Sequence, residues 1–278
     1  MESILKPPPI DRYLATPSVP EIELARLFSR TSRLTIFDIG SCEGEDSIRY
    51  ARRFPRARIF AFEALPANQA LIRENFLRYR VGDRAELVPL ALSDRVGTAV
   101  FHISSGRPPE EFVGNDWNYG NKSSSLLAPA MPDQPMFGWL EFKESIIVPT
   151  DNVDRFCALR QITRIDFIHL DVQGAEYLVL AGAEKMLPRT TALWLEVSDE
   201  RLYSGQKLRF EMEVFLRGAG FVLVRQERRE IEGDQFYVNG HQCGTWPYLV
   251  RHRLARLLGV ARYSLGTLKS KAIKHFAP

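Results

Sequence analysis

The residues best suited to chemistry in this sequence are acids set at regular places along it. Asp38-Ile39-Gly40-Ser41-Cys42-Glu43-Gly44 joins a short apolar run to a segment of helical spacing. Gly40 and Gly44 permit a tight turn and close approach of backbone to a ligand. The turn feeds a helix N-terminus, whose free N–H groups would face the ligand. The spacing is Gly-x-x-x-Gly, not GxGxxG, and Asp38 and Glu43 flank it. A pyrophosphate prefers a neutral or positive cradle. The loop therefore suits a neutral or cationic nucleoside better than a dinucleotide. Glu63 closes a second apolar run. A carboxylate there can accept hydrogen bonds from both hydroxyls of a ribose, each contributing about 1.5–3 kcal/mol.

Two further groups suit proton transfer. In His169-Leu170-Asp171, positions two apart on a strand share a face, so His169 and Asp171 are expected to point the same way, with Asp171 nearer the ligand. Either could take a proton from an attacking hydroxyl, an effect typically worth about 10²–10⁴-fold. Glu196, followed by Asp199 and Glu200, is the third candidate base. These acids are of a type that binds divalent cations, but no metal motif fixes one and no metal site is expected. The segment Gly114–Ser125 interleaves Trp117 and Tyr119 with amides and with Ser123, Ser124 and Ser125. Rings beside hydroxyls and amides suit a sugar face, so Trp117, Tyr119, Ser124 and Ser125 are the candidate substrate contacts on a closing loop.

The elements that must carry these residues alternate. Strands are expected at Leu34–Ile39, Arg58–Glu63, Leu87–Leu92, Ile165–Asp171 and Ala192–Val197. Helices are expected at 45–53, from Pro66 to Tyr79, at Glu176–Leu187 and over 208–219. A terminal hairpin pairs Phe221–Val224 with Gln235–Val238. Such alternation implies parallel βαβ units, a sheet covered on both faces, and a ligand outside the carboxyl ends of the strands. Residues 1–17 are Pro-rich and read as extended, ahead of a helix capped by Ser18 with Pro20 just inside it. Residues 97–150 interrupt the alternation as an insertion or lid, with Thr98–Ile103 its one suggested strand. The domain limits are therefore 1–33, 34–240 and 241–278.

Composition narrows the class. The 278 residues are 45% hydrophobic and 26% charged with a net charge of only +3, the profile of a globular protein and not of a nucleic-acid coat. The basic character sits in the tail, where residues 241–278 hold seven Lys and Arg and no acid. Val250, Leu254, Leu257, Leu258, Ala261, Leu265 and Leu268 have helical spacing there, consistent with peripheral contact with anionic lipid, packing on the body or dimerisation. Cys42, Cys157 and Cys243 form no CxxC pair, which suits a reducing cytoplasm. Neither a secretory signal nor a membrane-spanning run is visible.

Taken in order, the motifs resemble the FkbM-type methyltransferases. The resemblance rests on Asp38-x-Gly40-x-x-x-Gly44-x-x-Ser47, then Phe62-Glu63-x-x-Pro66-x-Asn68-x-x-Leu71-x-x-x-Asn75, then Leu90-Ala91-Leu92-Ser93-Asp94 with Gly97. It continues through Ser123–Leu126, Val148–Asp154, Ile165–Glu176 with Leu180-x-Gly182-Ala183, and Leu195-Glu196-Val197, and spans about residues 34 to 240. It implies a class I, Rossmann-like, doubly wound and mostly parallel seven-stranded sheet with a terminal antiparallel hairpin. It also implies S-adenosyl-L-methionine as cofactor and O-methylation of a sugar, glycolipid or other secondary metabolite. By the same resemblance Asp38, Gly40, Ser41 and Gly44 line the methionine part, Glu63 holds the ribose and Ser93-Asp94 lies by the adenine. Asp171 ends its strand beside the methionine amine or the acceptor. His169 stands where many members have Lys, and Gln173 where many have Glu. The alternatives are a nicotinamide-dependent oxidoreductase on a similar sheet and a non-catalytic partner in glycan assembly.

Overall fold

Four apolar runs decide the centre of the molecule. β1 (Thr35–Ile39), β2 (Arg58–Phe62), β7 (Ile165–Leu170) and β8 (Thr190–Ser198) are almost wholly buried, as strands covered on both faces must be. In the computed structural model, which describes residues 9–106, 122–130, 139–252 and 254, these strands run parallel. With β3 (Ala85–Val88), β9 (Phe221–Arg228) and β10 (Glu232–Asn239) they form one seven-stranded sheet in the order β3-β2-β1-β7-β8-β10-β9. β10 is antiparallel to both its neighbours. This is the class I methyltransferase arrangement, as expected.

Alternation along each strand sorts side chains onto two cores. Ile36, Phe167, Ala192, Trp194, Phe236 and Val238 face α3 (Glu45–Arg53) and α4 (Pro66–Arg78). Phe37, Ile39, Ile168, Leu170, Leu193 and Leu195 face α5 (Val153–Leu159), α6 (Glu176–Ala181) and α7 (Arg209–Gly218). On the second face Phe37, Phe60 and Phe62 meet Phe156 with ring centroids 5.6, 5.3 and 4.9 Å away. Such edge contacts add about 0.5–1.5 kcal/mol each beyond area burial. The register places Asp38, His169, Trp194 and Phe236 in one row across β1, β7, β8 and β10. One step nearer the carboxyl edge, Glu196 pairs with Asp234.

Four expectations are corrected. Part of the Pro-rich start is helical, α1 (Pro9–Ala15), ahead of α2 (Val19–Leu27). Tertiary ties hold it: Tyr13 donates to Asp46 Oδ2 at 2.8 Å, and Arg49 donates to the carbonyls of Tyr13 and Thr16 at 2.7 and 2.5 Å. The third strand is two, because Pro89 has no N–H for the ladder. β3 ends at Val88, and β4 (Ala91–Leu92) joins a second sheet with β5 (Gly97–Gly106) and β6 (Leu140–Asp151). The insertion thus carries a long antiparallel β5–β6 ribbon in place of one short strand. The helix expected to reach Leu187 stops at Ala181 with Gly182 as its cap, a glycine that packs on Ser93, where a Cβ would lie 2.2 Å from the Ser93 carbonyl oxygen.

Candidate active site

The turn after β1 is built by close approach. Gly40 and Ser41 both donate backbone N–H bonds of 3.0 Å to the carbonyl of Phe62. Gly40 has φ +84°, and a Cβ on it would lie 1.8 Å from the carbonyl oxygen of Asp171. The loop therefore rests directly on the end of β7, which only glycine allows. Gly44, at φ +80°, caps α3 and packs on Phe76 of α4. Asp38 is buried beneath the loop, accepting from Ser47 Oγ at 2.5 Å, while Ser41 Oγ donates to the Asp38 carbonyl at 2.7 Å. Burial raises the Asp38 pKa against the pull of His169 and the two serines. These contacts shape the loop from below.

Glu63 lies one residue beyond β2. Its Oε2 accepts from Cys42 N at 2.9 Å and its Oε1 from Leu65 N at 2.7 Å, so one carboxylate fixes the turns after β1 and β2 together. Burial raises its pKa from 4.5 to about 7, with the backbone donors opposing. Asn68 also donates to this carboxylate, which keeps acceptor capacity for a ligand.

A cleft holding about 530 Å³ of space, part of it open to solvent, runs along the carboxyl edge. Gly40, Cys42, Glu63, Asn68, Lys122, Ser124, Asp171 and Gln173 supply its polar lining. Phe62, Leu90, Ala91, Leu92, Phe101 and Leu126 supply apolar walls. Of the residues singled out from sequence, Gly40, Glu63, Asp171 and Ser124 meet here. Asp38, Ser41, Gly44, Ser93, Asp94, His169 and Glu196 are not in the lining. Ser93 is buried, bonded through its N–H to the Asp151 carbonyl and through Oγ to Asp94. Ser125 is fully buried and donates to the Gln173 carbonyl at 2.8 Å. Trp117 and Tyr119 lie outside the described residues.

Past β7 the acids converge. Gln173 Nε2 donates to Asp171 Oδ1 and to Glu196 Oε2, each at 2.8 Å. Among the described residues, Asp171 Oδ2 receives no hydrogen bond. Burial, Asp171, Glu232 and Asp234 hold the Glu196 carboxyl well above its usual pKa, while Arg229 lies 3.6 Å from it. His169 lies deeper, its Nδ1 2.8 Å from the Tyr50 hydroxyl and 3.9 Å from Asp46. Burial lowers its pKa, but Asp46, Asp38, Asp171 and Asp234 outweigh this and leave it raised.

Some residues in and around the cleft escaped sequence reasoning. Lys122, the one cation of GNKSSS, pairs with Glu45 at 3.2 Å and so ties the middle of the insertion to the start of α3. Tyr203, whose hydroxyl lies 2.8 Å from the Ser123 carbonyl and 3.2 Å from Gln173 Oε1, carries no local signal at all. Asn68 was visible only as a position of the family motif.

Residues 38–223 match a family model described as the methyltransferase FkbM domain. Over 200 residues the chain is 36% identical to the 2-O-methyltransferase NoeI of Sinorhizobium fredii, an alignment covering 72% of this chain and 76% of that protein. The chain belongs to the FkbM methyltransferase family. A second member, the 31-O-demethyl-FK506 methyltransferase FkbM of Streptomyces tacrolimicus, is 26% identical over 217 residues, covering 73% and 78%. The AMB antimetabolite synthetase AmbE of Pseudomonas aeruginosa is 25% identical over 223 residues, covering 73% of this chain and 10% of that one. The FkbM match begins at Asp38 and so takes in the Gly40 turn, Glu63, Asp171 and Glu196, while α1 and α2 lie outside it. This FkbM-family chain is therefore a methyltransferase, and the oxidoreductase alternative is set aside.

Proposed function

We propose that the chain is an S-adenosyl-L-methionine-dependent O-methyltransferase whose acceptor is a hydroxyl of a sugar, glycolipid or other secondary metabolite. The observation that carries this reading is a single cleft that joins the Gly40 turn, the Glu63 carboxylate and Asp171. The donor set fits the cofactor. Glu63 has acceptor capacity for a ribose diol, Leu90, Ala91 and Leu92 offer an apolar wall to an adenine near Ser93 and Asp94, and Asp171 offers an anion to an ammonium group. The relative named as a 2-O-methyltransferase supports transfer to oxygen.

When bound, the cofactor supplies an electrophilic methyl group. The chain's own part is to hold the acceptor hydroxyl in line with it, since positioning can contribute about 7–11 kcal/mol. Asp171 takes the hydroxyl proton on Oδ2. His169 and Glu196 remain the second and third candidate bases. Ser124, and Trp117 and Tyr119 from the same segment, are the proposed acceptor side, whereas Ser125, buried and bonded to the Gln173 carbonyl, supports the turn from behind. Residues 34–240 form the proposed catalytic unit, with 1–33 and 241–278 as attachments.

Calorimetric titration of the full chain with S-adenosyl-L-methionine tests the reading, together with native mass spectrometry of the purified protein. Saturable heat, or retained cofactor or S-adenosylhomocysteine, is the expected result. No heat with folded protein would sink it.

A cytoplasmic location is proposed from the cysteine pattern, and among the described residues no helix is long and apolar enough to cross a membrane. Residues 246–252 are helical. Leu249 is buried and the Tyr248 hydroxyl donates to Glu23 at 2.6 Å. Trp246, Val250 and Leu254 are 63%, 50% and 53% exposed at four-residue spacing. That stripe, beside Arg251 and the basic residues that follow, supports peripheral contact with anionic lipid. The full chain is expected to float with phosphatidylglycerol vesicles, and Trp246→Ser, Val250→Ser and Leu254→Ser together to abolish flotation. Equal recovery of both proteins would remove the contact.

A further inference from the structure

The side chain of Gln173 ties three parts of the site together. Its two amide protons go one to Asp171 Oδ1 and one to Glu196 Oε2, both at 2.8 Å. Its Oε1 faces the Tyr203 hydroxyl at 3.2 Å, and that hydroxyl reaches the Ser123 carbonyl at the margin of the cleft. The amide orientation follows from these partners, with two acceptors around nitrogen and a hydroxyl at oxygen. The backbone is committed to the same arrangement. Gln173 has φ +55°, a conformation that residues with a Cβ take where their surroundings impose it. The next residue, Gly174, has φ +91°, and a Cβ there would lie 2.9 Å from the Tyr203 ring. Two neighbouring carboxyls disfavour each other's ionisation, and an amide between them donates to both without adding a charge.

We infer that Gln173 is a positioning residue of the proposed donor and acceptor site, its NH₂ spanning Asp171 and Glu196 so that Asp171 keeps Oδ2 for the bound ligand. The inference rests on the methyl-transfer reading above. In this chain, with His169 and not Lys nearby, it makes the neutrality and two donors of the side chain a requirement that an isosteric acid does not meet, since ionised glutamate donates nothing.

The test is calorimetric titration of the full chain with S-adenosyl-L-methionine between pH 6 and 8.5, in two buffers of different ionisation heat so that protons taken up are counted. Unaltered protein, Gln173→Glu and Gln173→Met are compared, with melting curves to establish that each is folded. At pH 8 the Gln173→Glu variant is expected to bind about tenfold more weakly. The deficit shrinks toward pH 6, where the new carboxyl is protonated and donates again, and binding takes up more protons than in the unaltered chain. Gln173→Met is expected to bind about tenfold more weakly at every pH, without extra proton uptake. A merely structural residue would lower both affinities without moving the pH profile. Binding within twofold of the unaltered chain by both variants, with the same proton count, overturns the inference. If Gln173→Met does not fold, the pH profile of Gln173→Glu alone decides. Absence of binding by the unaltered chain overturns the functional reading itself, and this inference with it.

Discussion

The Glu63→Gln variant is expected to bind S-adenosyl-L-methionine at least about 100-fold more weakly than the unaltered chain, because two charge-assisted bonds to a ribose, each about 1.5–3 kcal/mol, lose their charge. The substitution also disturbs the turn. Both Glu63 oxygens accept from backbone N–H groups, those of Cys42 and Leu65, and an amide nitrogen in either place faces another donor. Global stability is expected to change little, since the carboxylate removed was itself costly to bury. A melting curve separates the two effects, and binding within threefold of wild type by calorimetry would remove Glu63 from the cofactor site.

The same carboxyl sets a pH dependence. Its folded-state pKa is raised from 4.5 to about 7, so the folded chain holds this proton more tightly than the unfolded chain. Its contribution to stability is then full below pH 4.5 and is lost as pH rises through about 7. Ligand affinity runs the opposite way, because the ionised form is the better acceptor for two hydroxyls. Affinity is expected to rise up to about tenfold from pH 6 to pH 8, with proton release on binding near pH 7. In the Glu63→Gln variant this rise disappears.

What could be read from the sequence divides along the length scale of the interactions. β1, β2, β7 and β8 are continuous apolar runs, and Pro66 marks the start of α4, so strands, helices and their order were legible. Glu63 and Asp171 were legible as acids at strand ends, and both stand in the cleft. The direction of Asp38 was not, because its side follows from the row it shares with His169, Trp194 and Phe236, a matter of register between strands. α1 is held by Arg49 and Asp46 from another helix, and its own Pro-rich sequence argues against it. β6 was missed because an insertion with few local signals gains its ladder only by pairing with β5. Gln173 reads only as a departure from the family motif until β8 brings Glu196 beside it and the chain after β8 brings Tyr203.

The choice of base follows from that geometry. Asp171 lines the cleft and His169 does not, although they stand two residues apart. Asp171→Asn is expected to lower turnover by about 10²–10⁴-fold and donor affinity by about tenfold, because the new amide oxygen still accepts from Gln173 while the charge offered to the ammonium is gone. His169→Gln is expected to leave turnover within about threefold, since the imidazole is engaged with Tyr50 beneath the site and a general base must reach the proton it takes. Its cost falls on stability, through loss of a partner for the buried Asp38 and Asp46 carboxylates. Tritium transferred from methyl-labelled donor into a glycan and lipid extract reads both variants on one scale, and melting curves account for the second. Near-normal transfer by Asp171→Asn with a hundredfold loss in His169→Gln would move the proton to the imidazole. A hundredfold loss in both would mean that the two side chains act as one unit.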